Sequence, residues 1–305
     1  MYVTIKEIEY TDGLYYGECY DNIPHGKGRF LYHSGSSYEG DFRHGKFNGT
    51  GVFYYSNGDS YSGQFKDDYF HGYGLLIFKS IGWSYKGYFK MGDRDGEGIT
   101  IYDNGEVHEG NYCKGYYHGR GRYLFLDKSL YEGDFYKGER HGKGRMEFPS
   151  GSIYEGDFSH GKLCGKGTYI FNNGKVYFGD LKDDNFNGFG VMVDKNNGWT
   201  YSGEFKDDEF EGNGKTVYDN GETYEGSYSN GYFNGYGKYT YADGSEYVGQ
   251  FCNGERHGKG KVHLKSEGIT IMGRWENDNC NGRGFITFPD GRVETHYWEN
   301  GELKW

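Results

Sequence analysis

Along almost the whole chain, apolar and polar residues alternate in short runs separated by glycine, and residues 131–153, YEGDFYKGERHGKGRMEFPSGSI, show the pattern in full. Tyr131, Gly133 and Phe135 fall on one side of an extended chain and Glu132 and Asp134 on the other, the period-two signature of a half-buried strand. The glycine-rich residues 138–142 predict a turn. Gly144, Met146 and Phe148 then line one face of a returning strand, with Lys143, Arg145 and Glu147 opposite, and Pro149-Ser150-Gly151 predicts the next turn. The unit is a β-hairpin. Its glycines share a face with its aromatic residues, so they leave the space into which neighbouring rings lie.

The pattern restarts at Tyr15, Tyr38, Tyr61, Tyr85, His108, Tyr131, Tyr154, Tyr177, Tyr201, Tyr224, Tyr247 and Ile271, so residues 15–293 hold twelve tandem units in one continuous array. Nine units have 23 residues, and those beginning at Tyr61, Tyr177 and Tyr247 have 24. Residues 1–14 carry a strand-like lead and residues 294–305 an incomplete copy, ETHYWENGELKW, which read as the caps that a stacked array needs. A longer period overlies the first. Tyr15 and Tyr131, Tyr61 and Tyr177, and Tyr131 and Tyr247 are each 116 residues apart, and GERHGKG occurs at both 138–144 and 254–260. A block of five units has been duplicated, leaving no stretch for a separate catalytic domain. A lone hairpin cannot offset the entropy of ordering its own residues, so each unit must draw stability from the units beside it. Twelve hairpins at about 4.8 Å per strand predict a rod of about 115 Å.

Composition narrows the class. The 56 glycines accompany 34 Tyr and 22 Phe, whereas disordered chains are poor in aromatics. With a mean hydropathy of −0.93 and no apolar run approaching about 18 residues, no transmembrane helix is expected. The opening MYVTIKEIEY, with Glu7 and Glu9, is not a signal peptide. Cys19, Cys113, Cys164, Cys252 and Cys280 are odd in number and show no CxxC spacing, which predicts thiols in a reducing compartment rather than disulfides or a zinc site. The expectation is a soluble, intracellular protein. Its net charge of −11 argues against a nucleic-acid partner and, less strongly, against an anionic membrane.

No catalytic constellation emerges. GERHGKG resembles a phosphate loop, but three residues rather than four separate Gly138 from Gly142, and Gly144 stands where Ser or Thr is needed. His25, His71, His118, His141 and His257 share one repeat position that Asn48, Asp95, Asn187, Asn234 and Asn281 fill elsewhere, so the position calls for a turn former. Asp93-Arg94-Asp95-Gly96 opens like a calcium loop without its closing Glu. No enzyme activity, cofactor or metal is expected. Lys27, Arg29, Arg120, Arg122, Lys143, Arg145, Lys259 and Lys261 line the polar face of the second strand. Glu39, Asp41, Glu132, Asp134, Glu155 and Asp157 recur on the same face of the first. Ion pairing across each hairpin is therefore expected, with a phosphoinositide-binding surface as the alternative.

Two features point to partners. Asp67-Asp68-Tyr69-Phe70, Asp183-Asp184 with Phe186, and Asp207-Asp208 with Phe210 put acidic, aromatic sequences where other units have glycine turns, predicting binding patches along one rim. The aromatic face of a single sheet is covered only by its own rings. This predicts a groove lined by Tyr38, Phe42, Tyr61, Phe65, Tyr131, Phe135, Tyr154, Phe158, Tyr201 and Phe205, open to a helix, a strand or a second copy.

The spacing Tyr-x-Gly-x-Phe, then Gly, then Gly-x-Gly, as in YEGDF with Gly161, Gly165 and Gly167, resembles the MORN repeat over essentially the whole chain. The resemblance implies an all-β fold, an elongated single-layer antiparallel sheet of tandem hairpins twisted and curved into a groove. It also implies a non-enzymatic scaffold or spacer in a cytoskeletal assembly, such as a ciliary axoneme, a radial spoke or the cell cortex. Phosphoinositide-dependent tethering at a membrane is the alternative. The expected partners are cytoskeletal or ciliary proteins, and a second copy through the terminal repeats. Cys19 departs from the pattern at a strand aromatic and Ile271 at the leading tyrosine. Asn22, Asp68, Asp184 and Asp208 replace the first turn glycine, which puts the turn geometry there in question.

Overall fold

In a computed structural model, which describes residues 3–304, the chain forms twenty-seven β-strands, and no helix occurs among the described residues. Met1, Tyr2 and Trp305, which belong to the expected end caps, lie outside the described residues. The strands fall into two units. Met1–Pro149 and Phe158–Gly161 make the first, and Ser150–Asp157 and Lys162–Trp305 the second. In the first, every strand from Thr4–Tyr10 to Glu139–Glu147 pairs antiparallel with the next in sequence. In the second, the same holds from Lys162–Ile170 to Glu302–Lys304. Each unit is a meander of tandem hairpins.

The hairpin turns follow from two residues in left-handed conformation. His44 and Gly45, between strands Ser37–Arg43 and Lys46–Tyr54, have φ of 52° and 79°, a type I′ turn whose twist matches that of the strands it joins. Replacing the glycine leaves this geometry unchanged. Asp67 and Asp68 have φ of 50° and 75°, and Asp183–Asp184, Asp207–Asp208 and Asp21–Asn22 are alike, because short polar side chains tolerate the left-handed region.

A row of glycines crosses the strands of each unit. Gly40 faces Gly28 on one side and Gly51 on the other, and the row runs on through Gly63, Gly74 and Gly87. In the second unit it passes through Gly190, Gly203, Gly214, Gly226 and Gly237. A tyrosine ring lies over each pair. A Cβ on Gly214 would sit 2.5 Å from the Tyr201 hydroxyl, inside van der Waals contact, so any side chain there would displace the ring.

The core is built from those rings. Ten leading tyrosines, from Tyr15 to Tyr247, have no exposed surface. Tyr61 stacks on Phe70 at 3.8 Å and meets Phe65 and Phe89 edge-on at 5.0 and 5.1 Å. Tyr201 is held in the same way by Phe210, Phe205 and Tyr228. Phe89 and Tyr228 come from the following hairpin, so each cage spans two repeats, and a single repeat cannot complete its own core.

Beside each glycine pair the strand register slips, between Gly40 and Phe42 in the second repeat. The bulge exposes polar groups that local side chains then satisfy. The Tyr38 hydroxyl donates to the Asp41 carbonyl at 2.9 Å, and the Asp41 carboxylate accepts the Thr50 N–H at 2.8 Å. The same clasp recurs with Tyr61, Gln64 and Tyr73, with Tyr201, Glu204 and Asn213, and with Tyr247, Gln250 and Lys259. It explains why tyrosine rather than phenylalanine leads the repeat, and why Asp, Glu or Gln recurs three residues later.

Candidate protein-binding surfaces

The ten rings expected to line an open groove are buried instead. Tyr38, Tyr61, Tyr131, Tyr154 and Tyr201 are 0% exposed, and Phe42, Phe65, Phe135, Phe158 and Phe205 no more than 4%. These rings are covered by one another. A leading tyrosine such as Tyr61 meets a ring of its own hairpin and one of the next, and a phenylalanine such as Phe42 meets a ring of its own hairpin and one of the hairpin before. Burial pushes the phenols of Tyr85 and Tyr131 up to about 12, so they remain neutral hydrogen-bond donors.

Only part of the acidic rim faces outward. Asp68 accepts the Phe47 N–H at 2.8 Å through its carboxylate and donates its own N–H to the Phe47 carbonyl at 3.0 Å. Asp184 holds Leu163 and Asp208 holds Phe186 in the same fashion. These second aspartates clamp one turn to the turn before it. Phe70, Phe186 and Phe210 point inward and stack on Tyr61, Tyr177 and Tyr201, each at 3.8 Å. What remains at the surface is Asp67, Asp183, Asp207 and the half-exposed Tyr69, with Asp183 paired to Lys162 at 3.2 Å. The opposite rim is tied as well: Ser80 donates its N–H to Asp59 at 3.0 Å, and Lys265 donates to the Ser245 hydroxyl at 3.1 Å.

The charged ladder joins hairpins rather than closing them. Lys27 reaches Asp41 at 2.7 Å, Arg120 reaches Asp134 at 3.0 Å and Arg122 reaches Glu132 at 3.0 Å. Each pair links the second strand of one hairpin to the first strand of the next, because the register sets them opposite, and at Asp41 and Asp134 the bulge N–H also occupies the carboxylate within the hairpin. Arg94, Arg140 and Arg256 have a different role. They occupy the position where Phe47, Phe70 and Phe210 stack in other repeats. Arg94 lies 5.2 Å from the Trp83 ring and Arg256 4.4 Å from Trp275, while Arg140 lies 5.7 Å from Phe158 and donates to the Gly161 carbonyl. GERHGKG is therefore a packing motif with a cation over rings. Aligning the second residue after each turn would have revealed it.

His25, His71, His118, His141 and His257 all lie in second strands beside the bulges, and among the described residues no group of three or more His, Cys, Asp or Glu could hold a metal ion. His108 stands where other repeats have the leading tyrosine. It stacks on Tyr117 at 3.7 Å, its Nδ1 lies 2.8 Å from the Tyr112 hydroxyl, and its buried Nε2 has no partner. Burial, aided by the Arg94 charge, pulls its imidazole down to about 3.

The accessible aromatic surface lies on the opposite face. There the side chains on either side of the glycine row form walls, and the glycine backbone forms the floor. In the first unit this groove has a volume of about 1130 Å³, with Tyr16, Arg29 and Val52 in one wall and Lys27, Thr50 and Tyr73 in the other. In the second unit a groove of about 570 Å³ runs between Ser202, Lys215 and Lys238 and the facing Phe189, Asn213 and Tyr236. Tyr16, Phe189 and Tyr236 are 58%, 56% and 64% exposed. Sequence reasoning missed these rings, although the variable position of Gly-x-Gly marks Tyr73, Phe189 and Tyr236.

A family model described as the MORN repeat matches the chain twelve times, at residues 15–37, 38–60, 61–80, 85–107, 108–129, 131–153, 154–176, 177–199, 201–223, 224–246, 247–266 and 272–291. No curated protein matches the chain. Among solved structures, the TCP domain of SAS-4 (dCPAP) from Drosophila melanogaster, in complex with a proline-rich motif of Ana2 (dSTIL), is 10% identical. That match covers 59% of this chain and 90% of the other, with a TM-score of 0.36. The TCP10 domain of CPAP from Danio rerio, in complex with a STIL peptide, is 13% identical over 80% of this chain and 93% of its own, with a TM-score of 0.37. Likeness at that level says nothing of what this chain binds.

Proposed function

The chain belongs to the MORN-repeat family, in general a class of non-enzymatic binding modules, and from that premise we propose that it is a protein-binding scaffold or spacer in a cytoskeletal assembly of the ciliary or cell-cortex kind. One observation supports the reading. The repeats place their leading aromatics inside the chain's own core and tie their turns together on both rims, which makes each unit stiff and leaves its second face, with its exposed rings, in contact with solvent. Such a surface suits partner proteins. The test is proximity labelling with the full chain fused to a promiscuous biotin ligase in its native cell. Structural proteins of the cytoskeleton should be enriched over the ligase alone, and the chain should stay with the detergent-insoluble fraction. Labelling no richer in such proteins than the control would refute the proposal, and tight, salt-resistant flotation with phosphoinositide vesicles would move the function to membrane tethering.

A further inference from the structure

A gap in the aromatic face of the first unit, where one repeat lacks the side chain that its copies have, names what a partner would offer; the inference rests on the scaffold reading above. We propose that the cavity beside Pro24 binds the guanidinium of an arginine side chain from a partner protein.

The duplicated block shows the occupant. Residues 22–28, NIPHGKG, correspond to GERHGKG at 138–144 and 254–260, so Pro24 stands where the later copies have Arg140 and Arg256. Both arginines lie over rings. Arg140 is 5.7 Å from Phe125 and from Phe158, and Arg256 is 5.7 Å from Tyr247 and 4.4 Å from Trp275. Each also donates to the carbonyl of the second turn residue in the next hairpin, Arg140 to Gly161 and Arg256 to Asp278. Proline has neither the charge nor the length to do this. In its copy there is instead a cavity of about 380 Å³, within the roughly 300–1,000 Å³ range of ligand sites. Tyr10, Phe30, Tyr32, Phe42 and Phe47 line it, together with Gly45. Phe42 and Gly45 are the counterparts of Phe158 and Gly161, so the ring and the turn residue that receive Arg140 have their equivalents at this cavity. The backbone is alike as well: Gly45 donates its N–H to the Pro24 carbonyl at 2.9 Å, as Gly161 does to Arg140 at 3.0 Å.

Charge decides between a cation and another ring. Phenylalanine fills the same repeat position at Phe47, Phe70 and Phe210, so rings alone would accept either. Asp12 and Asp68 also line the cavity, and no Lys or Arg does. Asp68 spends one carboxylate oxygen on the Phe47 N–H, and Asp12 makes no ion pair among the described residues. Burial, then the Asp12 and Asp68 charges, pushes the Tyr32 phenol up to about 12. In the second copy, where the chain provides its own guanidinium, the Asp12 position is Lys128. A carboxylate therefore goes with the proline and a lysine with the arginine, as expected if the first copy takes its cation from outside. Guanidinium suits the site better than ammonium, since its plane stacks on rings while its edge pairs with a carboxylate.

The test is saturation-transfer NMR on the full chain with N-acetyl-arginine methylamide and the corresponding citrulline, lysine and phenylalanine compounds. Citrulline keeps the shape and loses the charge. The arginine compound should receive saturation at its side-chain methylenes and bind about five-fold or more tighter than the other three. Pro24→Arg, which gives the first copy the residue of the other two, should weaken that binding about ten-fold or more, because the chain's own guanidinium then takes the place. Asp12→Asn should weaken it roughly three-fold and reduce its salt dependence. Circular dichroism identical to that of the parent establishes that each variant folds; if Pro24→Arg does not, Asp12→Asn and the citrulline comparison decide. Equal binding of the citrulline or phenylalanine compound, arginine binding unmoved by the substitutions, or no binding at all overturns the assignment. The scaffold reading is judged separately by the labelling experiment.

Discussion

Each leading tyrosine does two things that phenylalanine could do only in part. Its ring fills the space above a glycine pair, and its hydroxyl satisfies a carbonyl left at the bulge. Tyr61→Phe should therefore keep the fold but cost about 1–2 kcal/mol in urea unfolding, because the Gln64 carbonyl loses its donor. Gly63→Ala should cost about 2–3 kcal/mol, since its Cβ would lie 2.6 Å from the Tyr61 hydroxyl. His108 gives a pH signature. Its folded-state pKa of about 3 lies below the ordinary value of about 6.5, so between those values the unfolded chain binds the proton first. Its contribution to stability is complete above about pH 6.5 and falls as the pH drops towards 3, by up to about 1.4 kcal/mol per unit. Unfolding measured at pH 6.5 and pH 5 should show a loss of about 1–2 kcal/mol that His108→Tyr removes. At this scale the glycine-under-ring arrangement was legible, because alternation puts both on one face. The hydroxyl's role was not, because the bulge arises only when two strands meet.

The hairpin turn shows how one substitution can serve geometry and linkage together. Asp68 tolerates its left-handed φ of 75° and also clamps the preceding turn through Phe47. Asp68→Gly should keep the turn and lose about 1 kcal/mol, while Asp68→Ala should lose about 2 kcal/mol or more by adding backbone strain. Comparing the two urea midpoints separates the contributions. The acidic turns stood out in the sequence as departures from glycine. Their clamping role was hidden because the acceptor's partner lies 21 residues upstream, outside the window that any local pattern covers. The same distance effect misled the reading of the charges: the alternation correctly put Lys27 and Asp41 on one face, but only the register assigned the lysine to the next hairpin.

For the molecule as a whole, nearest-neighbour cages predict tolerance to loss of an integral repeat. Deleting residues 38–60 removes one full period and should leave a chain with native-like circular dichroism and a modestly lower unfolding midpoint, whereas deleting residues 38–48 breaks the strand alternation and should abolish cooperative unfolding. The end strands Thr4–Tyr10 and Glu302–Lys304 each pair with a single neighbour, and the prediction of a dimer through the terminal repeats follows from such open edges. Sedimentation equilibrium should show concentration-dependent self-association; a monomer throughout the accessible range would remove that prediction. Hairpins, their twelve-fold repetition and the side on which rings and glycines lie could all be read without coordinates, since each is set by residues within one 23- or 24-residue period. The closure of the aromatic face, the division of the aspartates into clamps and surface charges, and the opening of a groove on the other face came only from the folded chain. Those features depend on which strand lies beside which and where the bulge shifts their register, and residues a full repeat apart decide that together.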